Sequence, residues 1–316
     1  MQDSVPTEDE WLSYFDALSN WGRWGDDDVR GTLNFITPEH VRSAASLIRT
    51  GETVSCSRVI NFGRRADEDP NRPLHFMART GTAAQEKGGS GASDWAVLPL
   101  HGLTLTHIDA HSHMFWDGMM YNGQLASAVT AESGARQGGL EPFADGVVGR
   151  AVLVDVPALH GLDWLEESHA ITSREIDAAL KLQETSVASG DILVVRTGYG
   201  QRRRVDPLGG GGGEPDDMNP LLPGLSPEAL PWFYQNEISV VGTDTGTEAR
   251  PSPYTWLAPF HSVAMCAMGM WVIDNLDLEA AARKCRELGR WTFHLTIAPM
   301  RLKYVTGCPV NPIATF

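Results

Sequence analysis

Thr106-His107-Ile108-Asp109-Ala110-His111-Ser112-His113 places four ionisable side chains on alternate positions. In an extended strand, residues i, i+2, i+4 and i+6 point to one face. The stretch therefore reads as a strand that aims His107, Asp109, His111 and His113 the same way. Three imidazoles and a carboxylate so placed crowd one another unless a divalent metal organises them. A solvated polar edge is the plainer account, but a cluster this dense in nitrogen and oxygen donors favours the metal. The apolar run upstream, 97–105, reads as a buried strand leading into it.

Outward from this segment, apolar runs alternate with helical patterns. Thr37 and Pro38 open a helix carrying Val41, Ala44, Ala45 and Ile48, and Gly51 stops it. A strand is expected at 53–61 and a long loop at 63–94, where charge, Gly and Pro accumulate. Strands follow at 149–156, 191–198 and 238–244, with a helix between the first two that Thr172 and Glu175 begin as a capping box. Five glycines, Gly209 to Gly213, lack a following Lys-Ser/Thr and read as a surface loop, not a phosphate cradle. Helices at 259–269 and 276–288 and a closing strand at 291–302 complete an α/β chain.

The 316 residues carry a formal net charge of −15, which argues against nucleic-acid binding because phosphate contacts need a basic face. Arg202-Arg203-Arg204 is read as a solvated loop edge. Cys56, Cys266, Cys285 and Cys308 show no close pair, so neither a disulfide framework nor a thiolate zinc site is expected. With no signal-like or membrane-spanning run, a cytoplasmic protein with no membrane partner is expected. No Gly-x-Ser-x-Gly elbow appears, which weighs against an α/β-hydrolase.

Set beside His261 and Asp274, the opening segment resembles the metal-dependent cyclase/hydrolase family that includes bacterial kynurenine formamidase and isatin hydrolase. The family motif, His-x-Gly-Thr-His-x-Asp-x-Pro-x-His, falls on Leu103, Leu105, Thr106, His107, Asp109, His111 and His113. Asp155-Val156-Pro157, the run 193–198, Gly242-Thr243-Asp244 and Ile273-Asp274-Asn275-Leu276 match further along. Segments 24–34 and 117–123 are similar to the longer members of the family.

The resemblance implies an α/β chain with the swivelling β/β/α fold of the kynurenine formamidase/cyclase type. We divide it into an N-terminal arm at 1–20 and a single compact domain at 21–316. It also implies a divalent metal, zinc or manganese, and hydrolysis of an amide, lactam or cyclic-amide bond by metal-activated water. The substrate is expected to be a small, aromatic metabolite. By position, His107 and Asp109 carry over as metal ligands, and His261 as the distal one. His113 carries over as ligand or base, and Asp274 as the catalytic acid, where the family usually has Glu. Leu103 replaces the family's first histidine, so one metal per chain is expected, with His111 or His101 supplying the missing ligand.

Without the resemblance, His261 reads as a packed helix residue and Asp274 equally as a helix cap. Phe115 and Trp116 could wall a substrate pocket or pack in the core, and Trp24 in its Gly/Asp-rich loop is a third substrate-facing candidate. Glu248 reads as a surface acid, and His160 and His169 as structural or exposed. Two other functions fit parts of the sequence: a metabolite-binding relative that lost catalysis with Leu103, and a barrel amidohydrolase using His111-Ser112-His113. The barrel needs eight strand–helix units, more than the sequence offers. A homodimer or homotetramer is expected, with Trp11, Phe15, Trp232, Phe233 and Tyr234 as interface candidates.

Overall fold

The apolar runs after residues 149, 191 and 238 become the parallel centre of a nine-stranded sheet. The computed structural model describes residues 5–62, 73–81, 91–205 and 221–316. Its main sheet comprises β1 (Thr53–Ser55), β2 (His107–Asp109), β3 (Val147–Asp155), β4 (Ile192–Arg196), β5 (Val240–Thr243), β6 (Trp271–Asp274), β7 (Thr292–Ile297), β8 (Gly307–Pro309) and β9 (Ile313–Thr315). Their order is β1-β9-β7-β3-β4-β5-β6-β2-β8. Strands β3 to β6 run parallel, and every other pair is antiparallel.

A parallel centre must be covered on both faces, which is why its strands read as unbroken apolar runs. Alternation still sorts their side chains. Val152, Val154, Leu193, Val195 and Val272 enter one core, and Ala151, Leu153, Ile192, Val194 and Ile273 enter the other. Four amphipathic helices contribute to the structure: α1 (Glu8–Ala17), α2 (Pro38–Ala45), α3 (Ser173–Leu182) and α4 (Glu279–Leu288). Ile176 and Ala179 of α3 pack in the first core, and Ala281, Ala282 and Cys285 of α4 in the second. The capping box of α3 forms as read, with Glu175 accepting the Thr172 N–H at 3.0 Å. The mixed open sheet excludes the barrel amidohydrolase, whose strands would close on themselves.

Several boundaries differ from expectation, each for a local reason. No strand spans 97–105: Pro99 removes a ladder donor and Gly102 turns at φ +101°. In and just beyond the expected loop at 63–94, Leu74–Arg79 pairs antiparallel with Ser93–Val97 as an exposed hairpin. The strand expected at 53–61 stops at Ser55. Helix α4 starts at Glu279 instead of 276, because Asn275 is left-handed (φ 58°) and Asp277 N–H bonds the Cys56 carbonyl. Between 259 and 269 an α-turn, Pro259–His261, passes into a π-helix, Ser262–Ala267. Arg202 sits in a short helix, Tyr199–Val205, paired with Glu167. The five glycines lie outside the described residues.

Two interface candidates are already spent inside the chain. Trp11 is buried in the first core, with its indole N–H on the Pro259 carbonyl at 3.1 Å, and Phe233 is buried in the same core. That contact ties α1 to the domain. Among the described residues no helix is long and apolar enough to cross a membrane.

Candidate metal centre

Strand register assembles the centre. β2 pairs antiparallel with β6 so that His107 lies opposite Asp274 and Asp109 opposite Val272. Ile108, between them, turns to the second core. His107 and Asp109 therefore share the face on which Asp274 ends its strand. Asp274 stands at the carboxyl end of a parallel strand, where α/β proteins collect their ligands. The π-helical segment after His261 is likewise a feature found at functional sites.

Each side chain is aimed by a second contact. His107 donates its Nδ1–H to the Leu105 carbonyl at 2.8 Å, leaving the Nε2 lone pair free to face Asp109 Oδ1 at 3.5 Å. Asn275 holds that same carbonyl through its Nδ2 at 3.1 Å. His261 gives its Nδ1–H to Glu248 Oε2, and its Nε2 lies 3.5 Å from Asp109 Oδ2 and 3.7 Å from Asp274 Oδ2. Thr247 donates to Asp274 Oδ1 at 2.6 Å. His101 bonds Asp109 Oδ1 through Nδ1 at 2.8 Å and Thr306 through Nε2 at 2.8 Å. It thus enters the cluster with no shift of strand register, and its ligand atom lies within 4.8 Å of those of His107 and Asp109.

Asp109 Oδ2 is buried and has no hydrogen-bond partner. A buried carboxylate oxygen left unpaired costs several kcal/mol (~3 or more) unless a cation satisfies it. Separations of 3.5 to 3.7 Å are too long for hydrogen bonds. They match the ~3.4 Å edge of a tetrahedron whose corners lie ~2.1 Å from a metal ion. On both counts these donors fit a divalent metal: Asp109, His261 and Asp274 bring ligand atoms within 4.8 Å of one another, as do His101, His107 and Asp109, and the two groups share Asp109.

The family model described as "Putative cyclase" matches residues 73–248, more than half of the chain. A crystal structure of a novel cyclase superposes with a TM-score of 0.85 at 31% identity, covering 96% of this chain and 99% of that one. The chain belongs to the cyclase family. Isatin hydrolase A from Labrenzia aggregata, solved with benzyl benzoate, shares the fold at a TM-score of 0.58 and 20% identity, over 86% of this chain and 94% of its own. Isatin hydrolase A from Ralstonia solanacearum does so at 0.58 and 15%, over 88% and 97%. No curated protein matches the chain.

The electrostatics of this cyclase-family centre favour a cation. Burial raises the Asp109 carboxyl, but the His113 and His107 imidazoles, the bond from His101 and the nearby His261 ring override it and hold it well below the ordinary value. Burial disfavours charge on His261, yet Glu248 and then Asp274 hold its pKa well above the ordinary value. Asp274 is lifted by burial, against the pull of His261. Three carboxylates thus surround one imidazole. His113 is pulled down to about 4, chiefly by burial, and so is neutral at pH 7. Its ring stacks on His101 with centroids 3.8 Å apart and faces His261 at 6.4 Å.

His111 does not join them. The strand ends at Asp109 and a 3-10 turn, His111–His113, breaks the two-residue alternation. His111 swings to the opposite face, packing on Trp271 with centroids 4.3 Å apart and donating Nε2–H to the Gly269 carbonyl at 3.0 Å. It cannot replace the missing ligand. Leu103 itself flanks the site: a Cβ added at Gly246 would meet Leu103 Cδ2 at 2.9 Å and Asp274 Oδ2 at 3.8 Å.

Burial lowers His111 to about 4, below its ordinary value of 6.5. On acidification the unfolded chain takes up this proton first. Stability that is complete above pH ~6.5 should therefore fall by on the order of 2–3 kcal/mol as the pH drops to ~4. Urea unfolding at pH 7.5 and 5 measures it. His111→Gln should flatten the fall relative to the parent protein; an unchanged slope would reject the assignment.

The aromatic candidates divide. Trp116 stacks on Phe15 at 4.3 Å and meets Trp11 and Trp256 edge-on, beside a cleft of about 310 Å³. Phe115 is partly exposed. Trp24 instead packs on Phe35 beneath Arg23, so its partners are not those of the histidine cluster. Glu248, read from sequence as a surface acid, is buried against His261. Its pairing with a histidine thirteen residues later follows no local period. An acid in the Gly/Thr-rich run after β5 was the one available signal.

Proposed function

We propose that this chain is a metal-dependent hydrolase cleaving an amide, lactam or cyclic-amide bond of a small aromatic metabolite. The observation that carries the reading is the partnerless, buried Asp109 Oδ2, faced by His261 Nε2 at 3.5 Å with Asp274 Oδ2 just beyond. Zinc and manganese both suit this nitrogen and carboxylate donor set, one ion at this centre. A bound divalent ion supplies Lewis acidity, which lowers the pKa of water and polarises a carbonyl. The remaining steps belong to the protein. His113, kept neutral by burial, takes the proton of the attacking water and returns it to the leaving nitrogen. Glu248 and Leu105 fix the tautomers of His261 and His107. Phe115 and Trp116 offer an aromatic wall next to His113 in the chain. The isatin hydrolases with this fold are named for a substrate that is itself an aromatic cyclic amide.

The test is turnover of N-formylkynurenine, isatin and simple lactams by chelator-stripped protein reloaded with zinc or manganese. Metal-dependent turnover of one of them is expected. His113→Asn should lower kcat by roughly 10²–10⁴-fold with little change in KM. Metal binding without turnover of any substrate would instead favour the metabolite-binding relative, a reading that Leu103 at the family's first histidine position keeps open.

A further inference from the structure

A second group of metal-ligating side chains stands apart from this centre. His160 closes the helical turn Val156–Leu159 after β3, His169 precedes the short strand Ala170–Ile171, and Glu175 lies in the first turn of α3. The fold brings the three together. His160 Nε2 and His169 Nε2 lie 2.9 and 2.8 Å from the same oxygen, Glu175 Oε1. We propose that His160, His169 and Glu175 form a second site for a divalent transition-metal ion of the zinc class.

Four observations support it. Ligand atoms from all three residues lie within 4.8 Å of one another. The carboxylate divides its duties: Oε2 serves the capping box, accepting from Thr172 N–H at 3.0 Å, while Oε1 faces the imidazoles. The cap fixes where Oε1 points, which is the preorganisation a metal ligand needs. Burial raises the Glu175 carboxyl, but the bonds from His169, Thr172 and His160 hold it at about 2, so it is anionic at any working pH. Finally, side-chain exposures of 36%, 30% and 20% leave room for an ion to enter and for water to complete its shell.

Two imidazoles and a carboxylate are a donor set that borderline ions favour over magnesium or calcium. Coordination at ~2.1 Å sets neighbouring ligand atoms ~3.4 Å apart, so the present contacts need to open by only about 0.5 Å. The ion would take the place of the two Nε2 protons. The plainer account is a carboxylate hydrogen-bonded to two histidines with no metal affinity, and the experiment separates the two.

The location gives the site a consequence. Gly224 N–H bonds the His169 carbonyl at 3.0 Å, Leu225 N–H bonds Thr247 O at 2.7 Å, and Ala249 N–H bonds Leu225 O at 3.2 Å. Two backbone ladder steps thus link His169 to the segment that carries Glu248. An ion here would brace the support of His261 without touching it.

The chelator-stripped 316-residue protein is titrated with zinc chloride by calorimetry, alone and as three variants. The parent protein should bind two equivalents. His160→Gln/His169→Gln should lose one and keep the other, whereas Asp109→Ala should keep the one at His169, with a Kd below about 10 µM. Glu175→Gln, which retains a side chain able to accept from Thr172, should weaken that equivalent by more than ~10-fold and guards against misfolding of the double variant. Zinc should also raise the melting temperature of Asp109→Ala. No zinc uptake by Asp109→Ala, or equal uptake by the parent and the histidine double variant, overturns the site and leaves the reading of the Asp109 centre untouched.

Discussion

Asp109→Ala is expected to abolish metal binding at the main centre and to lower kcat/KM by at least ~10³-fold, the rate equivalent of about 4 kcal/mol. Asp109 joins the two halves of the site. Oδ1 takes the His101 hydrogen bond and faces His107, while Oδ2 faces His261. Removing Asp109 would take away the proposed ligand and the negative charge that would balance a cation.

Its orienting partners should matter less. Glu248→Gln keeps an acceptor for the His261 Nδ1–H but loses the charge, and about 10–100-fold in metal affinity or activity is expected. Elemental analysis of metal per chain, run beside kcat/KM, separates the two variants. Full occupancy in Asp109→Ala would remove Asp109 from the ligand set, whatever happened to turnover. Because the Asp109 carboxyl is held well below its ordinary value, the loss should be the same across neutral pH.

The legible part of the site coincides with regular structure. His107 and Asp109 obey strand alternation, and the register with Trp271–Asp274 needs nothing more than an antiparallel pair. His111 failed because alternation holds only while the backbone stays extended, and here it turns just after Ala110, at His111–His113. A single-sequence pattern gives no warning of a 3-10 turn inside a polar segment. Glu248 and Thr247 were illegible for a different reason. They sit in an irregular run after β5 whose path is set by hydrogen bonds to Leu225 and Asp274, both remote in sequence. The parallel strands were plain because strands buried on both faces spell out apolar runs. The hairpin was hidden because its strands are exposed and interrupted by polar residues, with Phe76 and Trp95 paired across it.

Arg196→Met should destabilise the fold by ~3–5 kcal/mol, the usual cost of stranding a buried ion-pair partner. Arg196 ends β4, and its guanidinium is 4% exposed. Nε and Nη2 form a two-point contact with Glu279 at 3.0 Å each, Nη1 reaches Asp155 Oδ1 at 2.8 Å, and Nη2 also donates to the Asp163 carbonyl at 2.8 Å. Burial alone would favour loss of its charge, but Asp155 and then Glu279 hold the proton firmly on. Methionine fills much of the same volume, so the cavity cost is small and the electrostatic cost dominates. The two acids then fare differently. Asp155 keeps Arg286 on Oδ2 at 2.6 Å, whereas Glu279, equally buried, loses its two-point partner. Adding Glu279→Gln to Arg196→Met should therefore recover at least ~1 kcal/mol, because an unpaired neutral amide costs less than an unpaired carboxylate. Urea unfolding reports both numbers, provided the slope m is the same in all three proteins. A loss below ~1 kcal/mol in the single variant would mean that water reaches Glu279 once the arginine is gone, and that this network sets side-chain geometry more than it sets stability.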